Sequence, residues 1–395
     1  MNESLGGAAK RLADAAGLRP PLDYRWTKDV VAPSLKSGDV NAITNIVCED
    51  LRDRQIELPD HRALIERCVQ ALLVGHLVLK GPPGTGKTTL ARALAKAFQV
   101  DLSVCTATSD WTPFQVVGGL RPNAEGGLVA SYGKVTEAVL KCAELVRDSQ
   151  ASPPASEYQA NWLFIDELNR ADIDKAIGSL FTLLSALDPE HLIETPIDLW
   201  FESRPGAKQL WVPARFRIIA AMNDMDTAFV NQMSQGLARR FQFVTVGPPT
   251  IKGSDVEPVS RELLNAATTA YRWVKGTYGE LHLPPLEFAL ADLGETLKRL
   301  QKVVDGLRDP EKIPGWPVGT AQIVDVLRSV VLAKASDGDQ ELWTAVDYAI
   351  VARLVPLMST IDDDQEKNFT ALFNASELSL AARELQHVVN PHDLV

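Results

Sequence analysis

The chain has 395 residues, 46% hydrophobic and 23% charged, which suits two or three domains with a sizeable core and excludes a disordered or fibrous protein. Forty basic residues against 51 acidic ones give a formal charge of −11, spread along the chain. Bulk attraction to nucleic acid or to an anionic membrane is therefore not predicted, while a local basic lining, as in a pore, is compatible with this charge.

Met1 to Pro21 lacks the apolar core of a signal peptide, and no stretch approaches the ~18 apolar residues of a membrane span, so a cytoplasmic protein with no membrane contact is expected. Cys48, Cys68, Cys105 and Cys142 lie far apart without ligand spacing and read as reduced thiols. Residues 1–55 are broken by Pro20-Pro21 and Pro33 and form an N-terminal segment without a recognisable motif.

From Arg62 to Leu73 the apolar residues Leu64, Ile65, Val69, Leu72 and Leu73 fall at helical spacing. His76–Lys80 reads as a short buried strand, and Thr88–Phe98 as a helix with Leu90, Leu94 and Phe98 on one face. Further strands are predicted at Leu102–Thr106, Trp162–Asp166, Phe216–Met222 and Phe241–Val246, separated by helices that are clearest at Val135–Arg147 and Lys175–Leu187. Alternation of this kind predicts a parallel sheet covered on both faces. Ser149–Ala160, with Pro153-Pro154, reads as an exposed loop. Gly247-Pro248-Pro249 through Gly253-Ser254 marks a boundary between a large domain over 56–250 and a helical region over 251–395. That region carries predicted helices at Ser260–Val274, Leu286–Leu307, Ala321–Ala335, Glu341–Leu357 and Asn368–Val388.

Between the first strand and its helix stands Gly81-Pro82-Pro83-Gly84-Thr85-Gly86-Lys87-Thr88, followed by Thr89. The glycines let the backbone curl so that its N–H groups face phosphate oxygens, and the helix N-terminus adds its partial positive charge. Lys87 has the length to reach the β- and γ-phosphates, and the Thr88 hydroxyl suits Mg²⁺. A glycine-rich turn with a chance lysine is the bland alternative, and the strand before and helix after argue against it.

Trp162-Leu163-Phe164-Ile165-Asp166-Glu167 is an apolar strand ending in two acids, an expensive arrangement unless a positive group waits there. Asp166 is the candidate metal acid and Glu167 the residue that orients the attacking water. Asn223, ending a second apolar strand, is the candidate to sit between Glu167 and the γ-phosphate. Leu237-Ala238-Arg239-Arg240-Phe241 places two arginines at a helix C-terminus. They match the helix dipole, or one of them enters a neighbouring subunit's site as an arginine finger; the sequence leaves open which.

Together these pieces resemble the AAA+ ATPases with an insertion in the second helix, the MoxR, dynein/midasin and McrB group, over about residues 60–250. Asp166-Glu167-Leu168-Asn169-Arg170-Ala171 is close to the group's D-E-I-N-R-A. Met222-Asn223-Asp224-Met225-Asp226 resembles the M-N-x-x-D of the McrB type, and Ala238-Arg239-Arg240-Phe241 its R-R-F. The approach Ala71-Leu72-Leu73-Val74-Gly75-His76 looks like that of MoxR proteins.

The resemblance implies an α/β fold, a doubly wound parallel sheet of order 5-1-4-3-2 with a C-terminal helical lid. It also implies a homo-oligomeric, usually hexameric ring and Mg²⁺-dependent turnover of ATP, with GTP as the alternative. Trp111–Ser131 would be the helix-two insertion, and His191–Pro213, with Trp200, Phe201 and Trp211, a hairpin facing the pore or a partner; core packing is the alternative for these tryptophans. The chain departs from the group at Thr227, where McrB proteins carry arginine. It departs again at Gly319-Thr320-Ala321-Gln322, where relatives often have G-T-P-R with an arginine on the γ-phosphate. Gln322 supplies no charge, so Arg328, Arg170 or a neighbour compensates, or coupling to the lid is weaker.

The implied function is remodelling of a separate partner protein, or of a nucleic acid passing through the pore. A motor or regulatory subunit of a bacterial restriction or antiphage system fits, as does a MoxR-like chaperone. A nucleotide-gated scaffold with slow hydrolysis is the alternative from another class. A GTPase lacks its N-K-x-D base reader here, and a small-molecule kinase has no need of the later residues.

Overall fold

The computed structural model describes residues 23–36, 38–58, 60–124, 126–223, 234–249, 259–281, 283–309, 315–336 and 341–389. A 3-10 turn at Arg25–Val30 precedes α1 (Val40–Asp53) and α2 (His61–Val74). There follow β1 (His76–Gly81), α3 (Lys87–Ala97), β2 (Asp101–Thr106), the short α4 (Pro113–Val116), β3 (Gly118–Pro122), β4 (Leu128–Tyr132), α5 (Lys134–Gln150) and β5 (Asn161–Asp166). The large domain continues through α6 (Ile173–Ile177), α7 (Pro189–Glu194), β6 (Ile197–Asp198), β7 (Gln209–Leu210), β8 (Ile218–Asn223), α8 (Gln235–Ala238) and β9 (Phe241–Thr245). The helical region comprises α9 (Arg261–Thr277), α10 (Leu286–Asp292), α11 (Gly294–Arg308), α12 (Thr320–Ser336), α13 (Leu342–Arg353), α14 (Asp363–Ala375) and α15 (Ser379–Val389).

Five strands pair in parallel in the order β2-β5-β8-β1-β9. Numbered one to five along the chain, they run 5-1-4-3-2, the order the sequence resemblance implies. Helices cover both faces, so β1, β5 and β8 are continuous apolar runs rather than alternating ones. The register sets Gly81 opposite Asn223, and Ile165, one residue before Asp166, opposite Ala220. The C-terminal ends of the three inner strands thus form one rim, where open α/β sheets bind ligands.

Four predicted helices are shorter or divided. Lys175–Leu187 is not one helix: α6 stops at Ile177, and 3-10 turns follow at Gly178–Leu180 and Leu183–Ser185. The Phe181 carbonyl accepts from Arg240 Nε and Ser185 Oγ, while the Ser185 amide turns to Thr182 O, an i to i−3 bond. The helix predicted over Leu286–Leu307 divides around Leu293. That over Glu341–Leu357 stops at Arg353, because Pro356 cannot donate an amide and its ring crowds the preceding turn. Asn368–Val388 is two helices separated at Glu377, which adopts a positive φ of 60°.

Two apolar cores result. The first gathers the sheet, α2, α3 and α5, together with Tyr24, Val30, Val31, Val47 and Leu51 from the start of the described chain. The second is built from α9, α11, α12, α13, α14 and α15. The predicted insertion is α4 followed by the antiparallel β3–β4 hairpin, and the segment before β8 holds the small β6–β7 hairpin. Trp211 and Phe201 are buried, whereas Trp200 is 65% exposed, so the tryptophans divide between core and surface. The Tyr24 hydroxyl donates to the Tyr132 hydroxyl at 2.7 Å, and Tyr132 in turn donates to Glu202, joining the N-terminal segment to both insertions.

All four cysteines are free; burial pushes the thiols of Cys68 and Cys142 up to about 12. Among the described residues, no helix is long and apolar enough to cross a membrane.

Candidate functional site

The phosphate loop leaves the end of β1, at one side of the rim. Gly84 and Gly86 hold φ of 76° and 83°, a left-handed conformation that side-chain-bearing residues resist, and this reverses the chain into α3. Lys87 Nζ donates to the carbonyls of Gly81 at 2.7 Å and Pro82 at 2.6 Å, folding the cation back across its own loop. Thr85 Oγ1 bonds Pro82 O at 3.0 Å and tightens the curl. Thr89, the third residue of α3, lines the same cleft.

Asn223 reaches this loop from the adjacent β8, and Asp166 from β5, one strand further along the sheet. Thr88 Oγ1 donates to Asp166 Oδ2 at 3.2 Å, and the Glu167 amide donates to Asp166 Oδ1 at 3.0 Å. A hydroxyl and a carboxylate side by side are hard oxygen donors of the kind Mg²⁺ takes in company with a triphosphate. Among the described residues, no group of three or more His, Cys, Asp or Glu side chains forms a metal cage. Glu167 holds φ of 53°, and its carboxylate is paired with Arg170.

Asn169 was given no role in the sequence reading, yet it clasps the end of β8. Its Oδ1 accepts from the Asn223 amide at 3.3 Å, and its Nδ2 donates to the Asn223 carbonyl at 3.1 Å. The rest of the M-N-x-x-D stretch, Asp224 to Asp226, and Thr227 after it, lie outside the described residues.

A cleft of about 580 Å³ opens between this rim and the helical region. The large domain contributes Pro83 to Thr89, Asp166, Glu167 and Asn223, with Arg54 to Glu57 from the linker before α2. The helical region contributes Asn265, Ala266 and Thr269 from α9, and Thr320, Ala321, Val324, Asp325 and Arg328 from α12. The linker residues and Asn265, Ala266, Thr269, Val324 and Asp325 escaped the sequence reading, because their juxtaposition joins segments some 200 residues apart with no local signal.

Residues 76–241 match the family model of the AAA domain, dynein-related subfamily. The chain carries an AAA+ domain. Among curated proteins the chain has no match. The match starts at the first residue of β1 and ends at the first residue of β9, so it spans the phosphate loop, the acidic pair and the strand that ends in Asn223.

Arg239 and Arg240 stand at the far end of this AAA+ domain, and neither lines its own cleft. They differ. Arg240 donates through Nε to Phe181 O at 2.6 Å, also bonds Gly236 O, and lies 5.0 Å over the Phe181 ring. Arg239 caps α8 as an exposed side chain.

The helical region bears directly on the phosphate loop of the AAA+ domain. The Ala321 amide donates to Gly84 O at 3.1 Å. Gln322 turns back to accept from the Gly319 amide at 2.6 Å, capping α12. The turn is held from behind by a buried ion pair. Arg308 meets Glu262 through two bonds of 2.7 and 2.8 Å, donates to Val318 O and to Pro249 O, and Glu262 accepts from Thr320 Oγ1 at 2.6 Å. Phosphate loop, helix start and interdomain connection therefore share one polar knot.

Proposed function

We propose that the chain hydrolyses ATP with Mg²⁺ at a site completed by a neighbouring copy in a ring, and remodels a partner through its lid. The observation that carries this reading is the contact of Thr88 with Asp166 beside the phosphate loop, under a lid whose backbone rests on that loop.

In this reading Lys87 exchanges its two carbonyl acceptors for β- and γ-phosphate oxygens. Thr88 and Asp166 would hold Mg²⁺, which would supply neutralisation of the charge developing on the transferred group. Glu167, released from Arg170, orients and polarises the attacking water. Asn223, fixed at the backbone by Asn169, faces that water and the γ-phosphate. Arg239 enters the next subunit's cleft, while Arg240 braces the strand it precedes. Helical-region movement then follows from the Gly84–Ala321 contact and its supporting knot.

The finer reading is a motor or regulatory subunit of a restriction or antiphage system, acting on a separate effector protein or a nucleic acid in the pore; a MoxR-like chaperone is the alternative. A scaffold that binds nucleotide and hydrolyses it slowly draws support from the Glu167–Arg170 pair and from Gln322, which is engaged in capping. Phosphate release by the purified protein, measured over a range of protein concentrations with ATP and GTP in competition, tests the proposal. Specific activity that rises with concentration supports a shared site. Concentration-independent turnover would remove it, and nucleotide binding without turnover would favour the scaffold.

A further inference from the structure

The residues of the proposed site address the triphosphate, and none of them addresses the nucleoside. Along α12, Ala321, Val324, Asp325 and Arg328 line the cleft at helical spacing. Ala321 touches the phosphate loop, and Arg328 lies seven residues further, about 10 Å along the axis. There it packs on Trp273 of α9, with its guanidinium carbon 4.8 Å from the ring centroid. The adjacent Arg272 donates to Gln55 Oε1 in the linker at 3.5 Å, so this end of α9 faces the linker rather than the Glu167–Asn223 end of the rim.

The guanidinium is held in one orientation. Its NH1 donates to Asp325 Oδ1 at 2.9 Å, and its Nε is sealed from solvent without a hydrogen-bond partner among the described residues. A buried donor without an acceptor is unfavourable. A flat cation laid on an indole can use its opposite face for a second flat ring. Arg328 keeps a third of its side chain exposed.

We propose that Arg328 is a nucleoside clamp: the purine of the bound nucleotide stacks on the guanidinium face opposite Trp273, and Nε gains an acceptor on the ribose or base as the lid settles. This assignment rests on the nucleotide site proposed above. It differs from a γ-phosphate sensor, because the contact is with the part of the molecule that ATP and ADP share.

Calorimetric titration of ATP and of ADP into wild type, Arg328→Met, Arg328→Lys and Trp273→Leu tests it. Arg328→Met is expected to weaken both nucleotides by about tenfold and by the same factor. Arg328→Lys does not restore affinity, since an ammonium has no flat face; it also carries the comparison if the methionine variant unfolds. Trp273→Leu weakens both nucleotides less. Unchanged affinity in the Arg328 variants overturns the clamp. So does a loss confined to ATP, which would make Arg328 a phosphate sensor. Failure of the wild type to bind either nucleotide would overturn the site itself.

Discussion

The amide of Ala321 donates to the carbonyl of Gly84 across 3.1 Å, so the first turn of α12 stands on the phosphate loop. The approach is close enough that Gly319 has no room for a side chain: a Cβ there would lie 2.4 Å from Pro83 O and 2.7 Å from Gly84 C. Gly319→Ala is expected to lift the helix from the loop while leaving both cores folded. Turnover should fall at least tenfold, with the thermal midpoint little changed; normal turnover would show that the contact is idle.

Lys87→Ala removes the cation that crosses the loop, and nucleotide affinity should drop below detection in a titration. Glu167→Gln keeps the shape of the side chain but loses the charge that polarises water, and should bind nucleotide while abolishing phosphate release. Turnover at the wild-type rate in Glu167→Gln would take that residue out of the chemistry.

The two arginines predict opposite phenotypes. Arg239→Ala should leave stability unchanged and lower phosphate release by about 10³- to 10⁵-fold, the range of arginine fingers. Mixed with wild type, it should depress activity beyond simple dilution. Arg240→Ala loses its hold on Phe181 and should lower the thermal midpoint. If Arg240→Ala alone poisoned mixed assemblies, the assignment would be reversed.

Breaking the Arg308–Glu262 pair leaves a buried charge without its partner, at a cost of about 3–5 kcal/mol. Arg308→Met should therefore destabilise the helical region strongly, and Arg308→Met with Glu262→Gln should recover part of the loss. Chemical denaturation of the single and double variants measures the coupling.

His76 begins β1 with its ring buried, and Nδ1 accepts from the Ile218 amide at 3.0 Å. Burial, aided by Arg217, lowers its pKa from 6.5 to about 3. The unfolded chain therefore binds the proton first, so this stability is present above pH 6.5 and is lost as pH falls toward 3. Between pH 7 and pH 5 the loss is about 2 kcal/mol for one such group. His76→Asn, which keeps an acceptor but does not titrate, should show a smaller fall in thermal midpoint over that interval.

The sheet was legible because each inner strand is an unbroken apolar run bounded by chemistry that only a rim tolerates: Gly81, Asp166 and Asn223 end their strands and meet in space. Periodicity located the helices but not their breaks. Nothing local in Phe181 shows that its carbonyl will serve Arg240 59 residues away, or that the chain will turn at Glu377. The phosphate side of the cleft was written in contiguous motifs. The clasp of Asn169 on Asn223 and the linker–lid wall were not, since those depend on pairings that sequence spacing does not encode.

The hydroxyl relay from Tyr24 through Tyr132 to Glu202 has a mechanical meaning. It fastens the β3–β4 hairpin to a segment more than a hundred residues earlier and to the turn that follows Trp200. A tug on the hairpin tip is therefore not absorbed by two thin strands but is shared with the strap at the start of the described chain. Whatever is attached upstream of Tyr24 would feel the load.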